Sequence, residues 1–262
     1  QNEIYYTLIH KGNVVLSAPT SFGKSLIIDS IITSNLYNNI MIIVPSIALI
    51  DETRKRLIKY SEQYRIISFS GQSLGNRNIF VLTQERALDY IERADIDFFV
   101  IDEFYKLDIK ENQDENDSRE IILNQVFYKL FKSQANYYLL GPNIERLIAP
   151  KLNEQKYQFI KTDYKTVVSE FHQIKNNALN KESKLLELCE GIAGQTLIYC
   201  QSPASANKVA ELLFGKLDLE RIENNEDFVR WIRQNYHPDW KYPTYIEYGI
   251  GVHHGKIPRA LA

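Results

Sequence analysis

The amino-acid sequence predicts an α/β protein in which parallel sheets are flanked by helices. Short apolar runs rich in β-branched residues recur along the chain, and stretches with apolar residues at helical spacing separate them. Strands buried on both faces have continuous apolar runs, whereas strands with one solvated face alternate apolar and polar residues. The 262 residues, 44% of them hydrophobic, suffice for two domains at roughly 150 residues each.

The first part of the chain contains most of the predicted strands. They lie at 13–17, 40–44, 65–69, 79–82, 98–102 and 137–141. Apolar residues at three- and four-residue spacing predict a helix after the first strand and another after the second. The polar, acidic segment 111–120 is predicted to be a solvated loop without a function.

A second unit is predicted after a change in composition. Residues 151–180 are rich in Lys, Asn and Gln and follow no clear period. Beyond them we predict a helix at 183–190, a strand at 196–200, helices at 203–213 and 227–235, and a short strand at 249–252. The predicted organisation is a first domain at 1–165, a linker at 166–180, and the beginning of a second domain at 181–262. Because the chain ends soon after a loop-like His-His-Gly segment, we expect it to be a fragment.

Composition and charge argue against several classes of protein. Lys and Arg number 31 against 33 Asp and Glu, so any contact with a polyanion must come from a local surface. The two cysteines, Cys189 and Cys200, do not fit a zinc-ligand pattern. No run approaches the ~18 apolar residues that cross a bilayer, and the first residues lack the form of a signal peptide. We expect a cytoplasmic protein without membrane association.

A candidate phosphate site follows the first strand, within residues 17–25. Backbone N–H groups at a helix N-terminus attract phosphate oxygens, a lysine reaches the outer phosphates, and a hydroxyl binds Mg²⁺. Gly23, Lys24 and Ser25 suit these roles, with Gly23 permitting close approach of the backbone. Ala18 replaces the first glycine of the strict pattern. An ordinary strand–loop–helix junction therefore remains the alternative for this segment.

A pair of carboxylates at the end of the fifth strand supports the phosphate site. Phosphoryl transfer to water needs a carboxylate that holds Mg²⁺ and a base that orients the water. We assign the metal to Asp102, together with Ser25, and the base to Glu103. With Lys24, these two residues form the predicted catalytic set.

These residues resemble superfamily 2 helicases of the DExD/H type (DEAD/DEAH box), particularly their Ski-like group. Residues 18–25 look like motif I of that family, and 102–105 look like motif II. The resemblance implies two RecA-like P-loop units, the second incomplete, with ATP and Mg²⁺ as cofactors. By its spacing from Lys24, Gln1 is similar to the adenine-reading glutamine. The implied nucleotide-binding residues are Gln1, Thr20, Ser21, Phe22, Gly23, Lys24 and Ser25.

The resemblance extends to segments that contact a nucleic-acid strand in the family. Residues 44–49 and 81–86 resemble motifs Ia and Ib. The implied nucleic-acid contacts are Ser46, Thr83, Arg86, His253 and His254. Such loops can grip the phosphates of a single strand without reading its bases. For Thr83 the alternative is a helix N-cap, and for the two histidines it is one that packs and one that caps a turn.

Motif III of the family departs from its usual form here, since residues 140–143 carry no hydroxyl. Coupling between hydrolysis and strand movement would then work through Asn143. Motifs V and VI would follow residue 262, so we expect this piece alone to bind nucleotide better than it hydrolyses it.

The sequence therefore predicts an ATP-dependent helicase or translocase acting on DNA or RNA. The alternative is an ATP-gated nucleic-acid sensor or clamp that does not unwind, with a possible protein partner subunit. A P-loop kinase or transporter ATPase is a weaker alternative, because it leaves the Ia-like, Ib-like and His-His-Gly segments without a role.

Overall fold

The computed structural model describes two compact units, Gln1–Ser169 and Glu170–Ala262. Its described residues are 1–19, 22–108, 118–142, 144–145, 156–164, 168, 170–174, 178–192, 194–258 and 261. Each unit is treated by itself below.

The first unit is built on a seven-stranded sheet in which all pairings are parallel. The strands are β1 (Asn13–Ser17), β2 (Asn39–Ile43), β3 (Arg65–Ile67), β4 (Asn78–Leu82), β5 (Phe98–Asp102), β6 (Asn136–Gly141) and β7 (Tyr157–Lys161), in the spatial order β3-β4-β2-β5-β6-β1-β7. The six predicted strands are present, and the predicted α/β class with a parallel sheet is confirmed. Strand β7 was not predicted.

Helices cover both faces of this sheet. They are α1 (Asn2–Ile9), α2 (Lys24–Thr33), α3 (Ile47–Leu57), α4 (Gln84–Ile91) and α5 (Ser118–Lys132). Successive residues of a strand point to opposite faces, so Val14 and Leu16 join one apolar cluster, with residues of α1, α2 and α3, while Val15 joins the other, with residues of α4 and α5. Two fully buried layers therefore fix the sheet and hold the strand ends in place.

The second unit is helical in the part that the structure describes. Its helices are α6 (Ala178–Glu190), α7 (Pro203–Lys216), α8 (Glu226–Asn235) and α9 (Tyr242–Glu247). A small apolar cluster, which includes Ile232 and Tyr245, joins α7, α8 and α9. Across the described ranges of both units, no helix has the length and apolar character needed to span a bilayer.

The strands predicted at 196–200 and 249–252 are not formed, and this part of the prediction is wrong for the structure as it stands. A strand requires a hydrogen-bonded neighbour, and no described segment of the second unit pairs with either stretch. Leu197 and Tyr199 are consequently 97% and 94% exposed.

Candidate nucleotide-binding site

The candidate site lies at the carboxyl ends of three neighbouring strands. In the sheet, β6 lies between β5 and β1, and the register pairs Ser17 with Gly141 and Asp102 with Leu140. The loop after β1 and the carboxylates after β5 therefore emerge at the same edge, one strand apart. Open parallel sheets bind ligands at this edge.

The loop after β1 leads directly into helix α2. Gly23, the N-cap residue, has φ 84° and ψ 32°, and no side chain caps the helix. This left-handed backbone favours glycine. The first N–H groups of a helix lack intrahelical partners, so the loop can offer them, together with the positive end of the helix dipole, to phosphate oxygens. Thr20 and Ser21, two predicted nucleotide contacts, lie outside the described residues.

Gln1 reaches this loop from the start of α1. Its Nε2 donates a hydrogen bond to the carbonyl oxygen of Phe22 at 2.5 Å. A Cβ atom added at Gly23 would lie 2.6 Å from the same Nε2. The structure thus brings Gln1, Phe22 and Gly23 together.

Lys24 and the two carboxylates lie within each other's electrostatic field. Burial lowers the pKa of Lys24, and the negative charges of Asp102 and Glu103 oppose this shift. Burial raises the pKa of Asp102; the charge of Lys24 opposes that shift, and the charge of Glu103 reinforces it. Each ionised group is thus partly desolvated and only partly neutralised by its neighbours, an arrangement that is common at functional sites.

Glu103 is held in a restrained position beside Asp102. Its backbone is left-handed, with φ 60° and ψ 43°, a conformation that is uncommon for a residue other than glycine. The backbone N–H of Glu103 donates to Oδ1 of Asp102 at 3.1 Å. Its carboxylate pairs with Lys106, with Nζ 2.5 Å from Oε2. The sequence analysis did not single out Lys106, although a lysine three residues after a glutamate in a helical turn is a recognisable ion-pair signal.

The residues at this site fit Mg²⁺ bound together with a nucleotide. Mg²⁺ keeps several waters and is held by one or two carboxylates plus substrate phosphates. Asp102 supplies one carboxylate, and Ser25 is exposed at the start of α2. Among the residues that the structure describes, no cluster of three or more His, Cys, Asp or Glu could form an all-protein metal site.

Ser46, Thr83 and Arg86 lie near the carboxyl ends of the adjacent strands β2 and β4. Ser46 is the N-cap of α3 and accepts a hydrogen bond from the N–H of Leu49 at 3.3 Å. Thr83 is the buried N-cap residue of α4. Arg86 donates to the carbonyl oxygen of Ser68 at 3.0 Å. Ser46 and Arg86 thus already make local hydrogen bonds.

Arg119 is a residue near the site that the sequence analysis missed. Residues 118–120 belong to the predicted acidic loop but form the start of α5, and 111–117 lie outside the described part. Arg119 donates to Glu85 at 2.6 Å and to the carbonyl oxygen of Pro45 at 3.0 Å. With Asp102 and Lys106 it lines a cavity of about 200 Å³.

The two predicted histidines have different environments in the second unit. His253 is exposed, whereas His254 is half-buried and lines a cavity of about 640 Å³. Asn143, the predicted coupling residue, lies outside the residues described.

The parallel sheet, the loop into α2 and the carboxylates after β5 define the class of P-loop nucleotide-binding proteins. Within that class, residues 1–134 match the family model of DEAD/DEAH box helicases. The chain belongs to the DEAD/DEAH box helicase family, as the sequence predicted. Membership implies ATP use, usually with Mg²⁺, and action on nucleic acid.

Known proteins that are similar to the chain include a bacterial protein and an archaeal protein of solved structure. "Anti-bacteriophage protein B" of Escherichia coli (strain K12) is 37% identical over 266 residues, covering 98% of this chain and 36% of that protein. The chain therefore spans about a third of the length of this relative. The crystal structure of a DEAD box protein from the hyperthermophile Methanococcus jannaschii matches with a TM-score of 0.51 at 17% identity, over 89% of this chain and 70% of that one. At this identity the second likeness concerns the fold alone.

Proposed function

We propose that this chain is the ATP-dependent motor region of a nucleic-acid helicase or translocase, which couples hydrolysis to movement along a strand or to unwinding. The observation that carries the proposal is the mutual electrostatic influence of Lys24, Asp102 and Glu103 at one edge of the sheet. A phosphate-binding cation, a metal-binding carboxylate and a base are the groups that phosphoryl transfer to water requires.

Each residue of the site has a distinct role in this proposal. The N–H groups at the start of α2 and the Lys24 ammonium bind the phosphates, and Gln1 and residues 20–23 complete the nucleotide contacts. Ser25 and Asp102 hold Mg²⁺, which when bound neutralises charge on the outer phosphates. Glu103 orients the attacking water and accepts its proton.

The ion pair of Glu103 with Lys106 suits a resting state of the base. A carboxylate paired with an ammonium is directed away from other partners. When nucleotide binds, Glu103 must exchange Lys106 for the attacking water. Lys106 is thus a positioning residue in the proposal, since it acts through Glu103.

We propose that Ser46, Thr83 and Arg86 of the first unit, and His253 and His254 of the second, contact the nucleic-acid strand, and that Asn143 couples hydrolysis to its movement. The loops after β2 and β4 present hydroxyls, helix N-termini and an arginine, groups that bind phosphates irrespective of sequence. The domain organisation at 1–165, 166–180 and 181–262 is part of the same proposal, as is a cytoplasmic location.

A second candidate function is an ATP-gated sensor or clamp that binds nucleic acid without unwinding it, together with a protein partner subunit. The relative named an anti-bacteriophage protein favours this candidate, because a defence protein can act by recognising foreign nucleic acid. In both cases, ATP binding at the same site changes the affinity of the protein for a nucleic-acid strand.

Strand displacement by the full-length protein separates the two functions. A fluorescently labelled duplex with a single-stranded overhang is incubated with ATP, and release of the labelled strand is followed over time. ATP-dependent release, absent in Lys24→Ala, supports the motor. ATP-dependent binding without release contradicts the motor and supports the clamp.

A further inference from the structure

The second unit contains a cavity of about 640 Å³ with aromatic walls and a basic rim. Its volume lies in the roughly 300–1,000 Å³ range of small-molecule sites. The aromatic residues that line it are Tyr236, Trp240, Tyr242 and Tyr245. These four residues and the cavity they enclose are called the aromatic cavity below. The nucleotide site and the proposed strand-contacting loops of the first unit do not include them.

The rings of the aromatic cavity form a connected series. Trp240 stacks on Tyr242, with ring centroids 4.8 Å apart and planes at 14°. Tyr236 lies against the same tryptophan at 5.4 Å. Tyr242 and Tyr245 are buried, whereas Tyr236 and Trp240 are half-buried. Each of the latter two therefore retains exposed ring surface that a planar ligand can contact.

His254 supplies an unpaired polar group in the same wall. Its Nδ1 accepts a hydrogen bond from the backbone N–H of Lys256 at 3.3 Å. A neutral imidazole whose Nδ1 accepts carries its proton on Nε2. That Nε2 is buried and has no hydrogen-bond partner among the described residues. Because buried polar groups are nearly always paired, a ligand acceptor in the cavity would stabilise a turn of the His254 ring that exposes Nε2.

The charges at the rim indicate an anionic ligand. Lys208, Lys241 and Lys256 line the cavity together with two carboxylates, Glu211 and Asp239. Lys241 is neutralised by Glu211 at 2.5 Å. Lys208 and Lys256 are exposed and form no ion pair with any residue that the structure describes. Two ammonium groups therefore remain beside the aromatic walls, against the single carboxylate of Asp239.

We propose that the aromatic cavity binds an unstacked base of a single-stranded nucleic acid, with the flanking phosphates against Lys208 and Lys256. A base offers a planar face to Trp240, and its carbonyl oxygens or ring nitrogens accept a hydrogen bond from His254 Nε2 once the imidazole ring turns toward the cavity. Aromatic platforms beside basic side chains bind single strands in this way, largely without sequence preference. The inference rests on the proposed function for the identity of the polymer, and it adds a binding site on the second unit.

The test compares oligonucleotide binding by variants of the full-length protein, measured by fluorescence anisotropy with labelled 15-mers of deoxythymidine and of uridine. Trp240→Leu removes the stacking face, and we expect affinity to fall roughly 5- to 150-fold, the range for loss of one base–aromatic stack. The matched control is Phe228→Leu, an exposed aromatic residue on α8 that does not line the cavity. The control should bind as the parent does.

Two further measurements distinguish a loss of base stacking from a loss of charge and from misfolding of the variant. With an abasic 15-mer of the same phosphate count, the difference between Trp240→Leu and the parent should vanish. The double variant Lys208→Gln/Lys256→Gln changes only exposed side chains, and it should reduce the slope of log affinity against log salt by about 1.4, or ~0.7 for each phosphate contact. Its control is Lys216→Gln, an exposed lysine at the end of α7 away from the cavity.

The inference is overturned if Trp240→Leu and the double lysine variant bind both 15-mers as tightly as the parent. It is also overturned if polyglutamate, and not an abasic or normal oligonucleotide, competes for the parent protein. When the parent still shows oligonucleotide-stimulated ATPase activity, either result leaves the proposed function intact. A parent that neither binds oligonucleotides nor responds to them contradicts both proposals at once.

Discussion

Lys24 illustrates at the residue scale how the candidate site balances burial against charge. Burial lowers its pKa, and two carboxylates restore part of the preference for the charged form. A lysine without a functional ligand would gain by turning toward solvent, since its long side chain readily does so. Its position beside Asp102 and Glu103 is the one that the proposed nucleotide site requires.

Lys24→Ala should abolish ATP binding and leave the fold intact. The change removes a charge from the ligand site and no residue from the apolar clusters. Calorimetric titration with ATP·Mg²⁺ measures the affinity, and thermal unfolding without nucleotide measures the fold. Lys55→Ala, on the exposed side of α3, is the matched control and should bind normally. If Lys24→Ala binds ATP with the affinity of the parent protein, the assignment of this site is wrong.

Asp102→Asn should make the nucleotide-free protein more stable at neutral pH while it removes metal-dependent ATP binding. Burial raises the folded-state pKa of Asp102 above its unfolded value, so the folded protein binds the proton more readily. The free energy of unfolding therefore falls as the pH rises from the unfolded-state pKa to the folded-state pKa. Above the folded-state pKa, the full destabilisation by the ionised Asp102 is present.

Denaturant unfolding at pH 7.5 and at pH 4 tests whether ionised Asp102 destabilises the folded protein. The stability gained by Asp102→Asn should be present at pH 7.5 and should shrink as the pH is lowered through that window. Asp51→Asn, on the exposed surface of α3, should show no such gain. A loss of stability in Asp102→Asn at neutral pH would mean that the carboxylate is structural.

Glu103→Gln should keep ATP binding and reduce turnover by roughly 10²-fold or more, because the amide cannot accept a proton from water. Lys106→Met releases Glu103 from its ion pair without removing the base, so turnover should persist. Single-turnover hydrolysis by the full-length protein measures both variants. Full turnover in Glu103→Gln would contradict the assignment of Glu103 as the base, and equal loss in both variants would show that the ion pair itself is required.

At the element scale, the start of helix α2 depends on the backbone conformation of Gly23. A side chain there meets two penalties, the left-handed φ and the 2.6 Å approach to Gln1 Nε2. Gly71 has the same φ of 84° with nothing within 4 Å of an added Cβ. Alanine substitutions at the two glycines therefore distinguish the cost of backbone strain, which both share, from the effect of the contact with Gln1, which only Gly23 has.

Gly23→Ala and Gly71→Ala should each lower the free energy of unfolding by about 1–2 kcal/mol, the cost of a left-handed alanine. Only Gly23→Ala should also weaken ATP binding, because the added methyl group disturbs Gln1 and the loop that leads into α2. Chemical denaturation and ATP titration on the same preparations measure the two effects. Normal ATP affinity in Gly23→Ala would show that the loop tolerates a side chain.

The strands β1 to β6 could be predicted because a strand buried on both faces leaves a continuous apolar run. Strand β7 was missed because Tyr157–Lys161 mixes polar and apolar residues at the sheet edge, where burial is only partial. The stretch at 196–200 has the composition of a strand, but composition cannot supply the neighbour that pairing requires.

The core of the candidate site could also be predicted from sequence order. Parallel strands end at one edge, so Lys24 after β1 and Asp102 at the end of β5 were expected to meet. The contact of Arg119 with the carbonyl oxygen of Pro45, 74 residues away, could not be predicted, because it depends on how α5 packs over the strand ends. The four rings of the aromatic cavity lie close together in sequence, between the end of α8 and α9, but sequence spacing alone does not show that they enclose a cavity.

At the scale of the whole molecule, one unit carries the proposed nucleotide site and the other carries the proposed base-binding cavity. A motor must change its affinity for the strand with the state of the nucleotide, so strand binding and ATP turnover must influence each other. Neither unit by itself accounts for this coupling. The account therefore makes a prediction about the full-length protein.

The most direct test is the steady-state ATPase rate of the full-length protein, measured alone and with single-stranded DNA, single-stranded RNA or duplex, beside Lys24→Ala. The account predicts that at least one polymer raises the rate at least several-fold, and that Lys24→Ala shows no ATPase activity with any of them. A parent rate that is the same with every polymer and without one would contradict the motor.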